Sequence, residues 1–428
     1  MLEKLKKIKV PKTTSVPKFK AERYVVGLDI GTEYVKALIA KVTDNTAEII
    51  GVGRAHQKLG DMQAGAIADI AAVVANCDAA LAEAEEQAGL SARTVVIGIA
   101  GELVKGTTTT VRYRRNDPNR ELTLDEVSRI VSKVQERAEQ KARQNLAWEL
   151  GGKHVDIRLV NSALVSIEID GYKVTNPVGF QGRDVVVQLY TAFAPLVHIG
   201  ALERTAQELD LDLLAVAAEP FAVARSMIGD NTGSNMNAIL MDVGGGTTDI
   251  AVINDGGVQG TKMFGIGGRA YTRSVERELG INFEEAEALK MGLSNKETTG
   301  DTAKEVQDAL TKTLTVWMHG VELALSEFEA VDNLPNRILL CGGGSSLTLL
   351  PARLSKTNWY KELPFTKQPI IQHIKPSEVV GIVDATGKVT DHTFITAMGL
   401  VRVGIDTLQQ GGSDEGSIRS KIDRMLRV

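Results

Sequence analysis

Two stretches of this 428-residue chain repeat one pattern, and the repeat limits what the chain can fold into. Tyr24-Val25-Val26-Gly27-Leu28-Asp29 is an apolar run closed by a carboxylate, followed by the turn Ile30-Gly31-Thr32 and a second apolar run, Val35 to Ala40. The same order returns at Ala238 to Met241, with Asp242-Val243-Gly244-Gly245-Gly246-Thr247-Thr248-Asp249 and then Ile250 to Ile253. Each reads as strand, glycine turn, strand. Three successive glycines let several N–H groups point at one spot, a nest suited to phosphate oxygens. Thr247 and Thr248 add hydroxyl donors. An Asp at a strand end suits Mg²⁺ held through water, because Mg²⁺ dehydrates reluctantly and takes carboxylates plus phosphate. One such turn also fits a plain surface hairpin. Two of them, each opened by Asp and lying 213 residues apart, predict two lobes of similar core clamping one polyphosphate.

The length allows two or more domains, and 43% hydrophobic with 24% charged residues is an ordinary globular composition. Cys77 and Cys341 are the only cysteines, which excludes a disulfide framework and fits a reducing compartment. The six histidines include no His-Glu-x-x-His pair, against a zinc hydrolase. No run of about 18 apolar residues predicts a transmembrane helix. Residues 1–10 lack the apolar block of a signal peptide, so the expectation is an intracellular protein. The net charge of −5 hides an asymmetry: residues 1–20 carry +6 and residues 417–428 carry +3, leaving the body at −14. So acidic a body argues against nucleic acid, and only the two ends suit an anionic surface.

Ala66 to Ala88 is an alanine-rich helical stretch, and a strand from Thr94 to Ala100 opens a region of different texture. Thr123-Leu124-Asp125-Glu126 predicts a capping box. The helix behind it carries Val127, Ile130, Val131, Val134 and Ala138 inward, with a solvated basic face of Arg129, Lys133, Arg137 and Lys141. Strands over 156–169 and 184–193 complete a strand-helix-strand-strand module whose default role is contact. Glu219, before Pro220 at a first helical position, is placed to orient an attacking water, though it also reads as a plain polar residue there. Gly265-Ile266-Gly267-Gly268 aims the start of a helix, Arg269 to Leu279, at whatever the turns hold. Glu287 and Lys290 share a face of the next short helix. A long helix follows over 303–328, and the strand 337–341 runs into Gly342-Gly343-Gly344-Ser345-Ser346, where a flat ligand can approach the backbone. Gly411 to Gly416 reads as a linker. Behind it Ile418, Ile422, Met425 and Leu426 recur at helical spacing among Arg419, Lys421, Arg424 and Arg427, which predicts an in-plane, amphipathic membrane helix.

These motifs resemble the actin-like ATPase superfamily. Asp29 through Glu33 to Lys36 is similar to its first phosphate motif, Asp242 to Asp249 to its second, and Leu339 to Ser346 to its adenosine motif. Within the superfamily, Gly98-Ile99-Ala100-Gly101, Asp170-Gly171 with Asn176-Pro177-Val178-Gly179, and Ala286 to Lys290 resemble the FtsA family of bacterial cell-division proteins. The resemblance implies an α/β, two-lobed fold with a duplicated core and an inserted small α+β module. Its parts would be a basic lead (1–23), subdomain 1A (24–93, 194–235, 385–410) and an SHS2-like module 1C (94–193). Subdomain 2A (236–266, 335–384), subdomain 2B (267–334), a linker (411–416) and a membrane helix (417–428) would follow.

The same resemblance implies ATP and Mg²⁺ as cofactors. Asp29 and Asp242 would position the metal through water, and Gly31, Thr32, Glu33, Lys36, Gly244, Gly245, Gly246 and Thr247 the phosphates. Gly268, Glu287, Lys290, Gly342, Gly343 and Gly344 would contact the nucleoside, with Glu219 orienting a water in an ATPase that is at most slow. The implied partners are FtsZ, further copies of the chain in a head-to-tail filament, anionic lipids of the inner membrane face and other division proteins. The PilM family of pilus-assembly platform proteins shares the core and the module and is the alternative; it normally stops near the last core helix. The basic lead departs from a typical FtsA-family chain. A kinase of this superfamily is disfavoured, because no sugar-site constellation is visible.

Overall fold

The computed structural model describes residues 23–101, 104–153, 155–229, 234–328, 331–356 and 358–410. The basic lead up to residue 22, the linker and the whole amphipathic tail, including Ile418 to Arg427, lie outside them.

The chain opens with β1 (Arg23–Ile30), β2 (Tyr34–Thr43) and β3 (Thr46–His56), an antiparallel meander. A two-residue hairpin, β4 (Met62–Gln63) with β5 (Ala66–Ile67), leads to α1 (Ile70–Ala88). The predicted helix therefore begins four residues late, where Asp69 caps it by accepting from Ala72 N–H. Helix α1 lies close against β3 because the strand presents glycine to it. A Cβ on Gly53 would sit 1.8 Å from the Ala80 carbonyl oxygen, and one on Gly51 2.2 Å from that of Ala84.

Strand β6 (Thr94–Ile99) corrects the expected boundary at residue 94. It pairs parallel with β1, between β1 and β11, and so belongs to the first core sheet. Behind Thr94 its residues are apolar and buried, as a strand covered on both faces requires. The inserted module starts instead at β7 (Lys105–Arg114). It continues through α2 (Leu124–Glu149), β8 (Ile157–Ile169), β9 (Tyr172–Lys173) and β10 (Asp184–Pro195). Val127, Ile130, Val131 and Val134 of α2 pack on Leu164, Ile167, Val185, Val187 and Leu189 in a core of their own. Only half of the expected capping box forms: Thr123 accepts from Glu126 N–H, but the Glu126 carboxylate turns to Arg115 at 2.9 and 3.0 Å. A charge-assisted fork outweighs one return bond to an exposed backbone N–H.

The chain returns through α3 (Leu196–Glu208), β11 (Asp212–Ala218) and α4 (Glu219–Ile228). The second half repeats the first. Strands β12 (Ala238–Val243), β13 (Thr248–Asn254) and β14 (Gly257–Phe264) form another meander, its tight turn allowed by left-handed Asp255 and Gly256. Helices α5 (Gly268–Leu279), α6 (Phe283–Ser294) and α7 (Gly300–Ser326) pack beside it. Then β15 (Arg337–Cys341), α8 (Leu349–Lys356) and β16 (Ile370–His373) add two parallel strands. Strand β17 (Ile382–Asp384) pairs with β3, so the second core ends before it rather than at 384. Helix α9 (Ile395–Gln410) closes the described chain.

The order β11-β6-β1-β2-β3 in one sheet matches β16-β15-β12-β13-β14 in the other. In both, two parallel neighbours flank an antiparallel meander. Helices α4 and α9 cross close together, with Gly399 against the Ala222 carbonyl. The module extends the second sheet through β7 and β14, in a seam of two residue pairs, Gly260 with Thr107 and Thr261 with Gly106.

Candidate functional site

The two Asp-bearing turns meet at the mouth of a cleft of about 440 Å³, within the usual range for a small-molecule site. The glycines make the approach feasible. A Cβ on Gly246 would lie 2.6 Å from Thr32 Oγ1, and one on Gly245 3.0 Å from Glu33 Cβ. The third glycine turn closes from the side: a Cβ on Gly344 would lie 2.7 Å from the Gly244 carbonyl. Gly342, at φ +80°, leaves no space for one beside Asp242 Oδ1.

Asp29 stands opposite Lys36 in the β1–β2 register, and Lys36 Nζ donates to Asp29 Oδ2 at 2.8 Å. Asp242 stands opposite Asp249 across β12 and β13 and accepts from the Thr396 hydroxyl of α9. Thr247 Oγ1 donates to Asp249 Oδ2 at 3.0 Å, while Asp249 Oδ1 is buried without a hydrogen-bond partner. Glu219, at the start of α4, reaches the same cleft and is 8% exposed. Four carboxylates therefore share the inner cleft with the Lys36 ammonium.

That crowding sets the electrostatics. Burial, and then the charges of Asp29, Asp249 and Asp242, push Glu219 well above the ordinary glutamate range, with Lys36 opposing. Burial and the Asp242 charge do the same to Asp249. Burial raises Asp242 too, against the Thr396 hydrogen bond. Burial works against the Lys36 ammonium, but the charge and hydrogen bond of Asp29 outweigh it, and Lys36 stays above the ordinary lysine value. An excess of buried carboxylate with one orphaned oxygen fits a hydrated divalent cation, which would relieve the repulsion.

At the other end of the cleft Glu287 and Lys290 pair at 2.7 Å on one face of α6. Lys290 Nζ also donates to Thr272 Oγ1 at 2.8 Å and to the Gly268 carbonyl at 3.2 Å. Met291, Ser294 and Asn295 continue this wall towards Gly343, Gly344 and Leu347. Asp29, Gly31, Thr32, Glu33, Lys36, Glu219, Asp242, Gly244, Gly245, Thr247, Gly268, Glu287, Lys290 and Gly342 to Gly344 all line one cleft. Gly246 packs on Thr32 instead of lining it.

Four participants escaped the sequence reading. Arg269 and Gln57 join the turns across the cleft, Thr396 holds Asp242, and Asp249 is not only a turn boundary. Thr396 lies 154 residues from Asp242, and no local pattern connects them. Arg269 had a signal, as the first charged residue after the helix-starting glycines.

A family model, Cell division protein FtsA, matches residues 239–403, a segment that holds the second phosphate turn, α6 and the third glycine turn. Cell division protein FtsA of Enterococcus hirae is 26% identical over 344 residues, covering 75% of this chain and 73% of the relative. The chain is FtsA-like. The protein of the same name from Bacillus subtilis is 25% identical over 63% of this chain and 58% of its own length. Among solved structures, a chain of the PilM–PilN type IV pilus biogenesis complex superposes with a TM-score of 0.64. That match has 17% identity and covers 89% of this chain and 98% of the other. At that identity the match speaks to fold alone: the FtsA-like chain has the two-lobed actin-like ATPase fold, with mixed sheets and a duplicated core.

Proposed function

We propose that this FtsA-like chain binds Mg-ATP between its lobes, assembles into filaments and tethers FtsZ to the inner face of the membrane during division. One observation carries the nucleotide reading: two Asp-bearing glycine turns from duplicated sheets face each other across one cleft. Gly31, Thr32, Gly244, Gly245 and Thr247 would hold phosphates. Asp29, Asp242 and Asp249 would orient the waters of Mg²⁺, which neutralises phosphate charge when bound. Lys290 and Glu287 would face the ribose and Gly343 the base. Burial, and then its carboxylate neighbours, hold Glu219 well above the ordinary glutamate range, and it would orient the attacking water in a turnover that is at most slow.

Calorimetry tests the site. The wild-type chain should bind Mg-ATP, and Asp242→Ala should weaken binding by at least about 100-fold while the fold persists, since a buried charge partner is lost. Equal affinity would refute the assignment. The division role rests on the family model and the curated relatives, which favour it over a pilus platform. Among the described residues no helix is long and apolar enough to cross a membrane. The basic tail is the proposed peripheral contact, each Lys or Arg near an anionic leaflet contributing about 1 kcal/mol. Anionic liposomes should pellet the full chain and release a truncation ending at Gly411. Equal pelleting of both would remove the tail's role.

A further inference from the structure

One ion pair crosses the cleft from lobe to lobe. Arg269, the second residue of α5, sends Nε to Glu33 Oε2 at 2.7 Å, although the two lie 236 residues apart. Its Nη2 donates to the Gln57 carbonyl at 3.2 Å. The pair is largely enclosed, with side-chain exposures of 11% for Arg269 and 26% for Glu33.

Both ends are anchored to the phosphate turns themselves. On the second lobe, Arg269 N–H donates to the Gly245 carbonyl at 2.8 Å, and Gly268 N–H to the Gly244 carbonyl at 2.9 Å. On the first, Gln57 N–H donates to the Glu33 carbonyl at 2.9 Å, and its side-chain amide to the Gly31 carbonyl at 3.1 Å. The fully buried Gln57 in turn accepts from Asn76 at 2.7 Å. Pulling the lobes apart therefore has to break this fork, because each of its ends is fastened to a rigid turn.

We propose that Glu33 and Arg269 form a latch between the lobes that sets how long the cleft stays shut on a nucleoside polyphosphate. The inference rests on the nucleotide reading above. It assigns Glu33 a task other than touching phosphate: the carboxylate is taken up by Arg269 and, at 2.8 Å, by His56 Nε2. Arg269 likewise acts as a positioning residue. Two of its nitrogens are committed to first-lobe oxygens, so opening the cleft strips both bonds at once. Breaking an enclosed charge pair raises dissociation rates more than it slows encounter.

The test is stopped-flow release of a fluorescent ATP analogue, chased with excess Mg-ATP, from the full chain and from Arg269→Gln, Glu33→Gln and the double variant. Each single variant should release about tenfold faster, and the double no faster than the faster single, because either change opens the same latch. Arg269→Lys should restore part of the slow release, and it carries the comparison should Arg269→Gln fail to fold. Additive effects would overturn the latch, as would fast release from Arg269→Gln with Glu33→Gln unchanged, which would mean that Arg269 acts on the ligand alone. If the wild-type chain binds no ATP analogue, the nucleotide reading fails separately. The latch is then judged by amide exchange at residues 31–34 and 268–270 of the ligand-free chain. There all three variants should lose protection equally, and unchanged protection overturns it.

Discussion

Burial, and then the charges of three aspartates, push the Glu219 carboxyl well above the ordinary glutamate range, with Lys36 opposing. A carboxyl raised on folding binds more protons in the native state than in the unfolded one. Stability from this group is therefore present at acid pH and is lost as pH rises from the ordinary glutamate value through the folded one. Urea unfolding of the ligand-free chain between pH 5 and 8 should show this decline, and Glu219→Gln should flatten it and raise stability at neutral pH. Each unit of elevation removed is worth ~1.4 kcal/mol. A variant as pH-dependent and no more stable than the wild type would contradict the crowding. At this scale the sequence disclosed the carboxylates at strand ends, since an Asp before a glycine turn is a local pattern. It could not disclose that Thr396 holds Asp242 or that Arg269 reaches Glu33. Those contacts depend on how two lobes far apart in the chain are brought together.

Elements were legible where periodicity was strong. The expected long helix is α7, whose buried Val306, Leu310, Leu314, Trp317, Val321 and Leu325 recur at helical spacing, and Trp317 Nε1 donates to Thr248 Oγ1 at 2.9 Å, fastening that helix beside the second turn. Strand β6 was misplaced because an apolar run carries no mark of its neighbours. Only pairing with β1 and β11 assigns it to the core sheet. The short β17 was assigned to the wrong sheet for the same reason. Close packing of helix on sheet was not readable either, although its cause is plain in Gly51 and Gly53. Gly53→Ala should cost about 1–3 kcal/mol by forcing α1 off β3. Gly60→Ala, with nothing within 4 Å of the new carbon, should change urea stability by less than about 0.5 kcal/mol. Equal effects would show that the helix yields freely.

For the molecule as a whole, the repeat of one strand pattern foretold the duplicated sheets, because each half must bury its own meander. The module's attachment was not foretold. Its sheet joins the second lobe through Thr107 and Gly106, and Tyr190 Oη lies 3.1 Å from Thr261 Oγ1 at that seam. Strand β14 runs from this seam to the loop before Gly268, so one strand links module and cleft. Such a link gives the proposed nucleotide cleft a physical route to the inserted module. Electron microscopy of the full chain on an anionic lipid monolayer tests this most directly, with and without Mg-ATP and beside Asp242→Ala. Filaments should form on the lipid with Mg-ATP and be lost with Asp242→Ala or without nucleotide. Filaments indifferent to both, or none under any condition, would contradict a nucleotide-set polymer on the membrane.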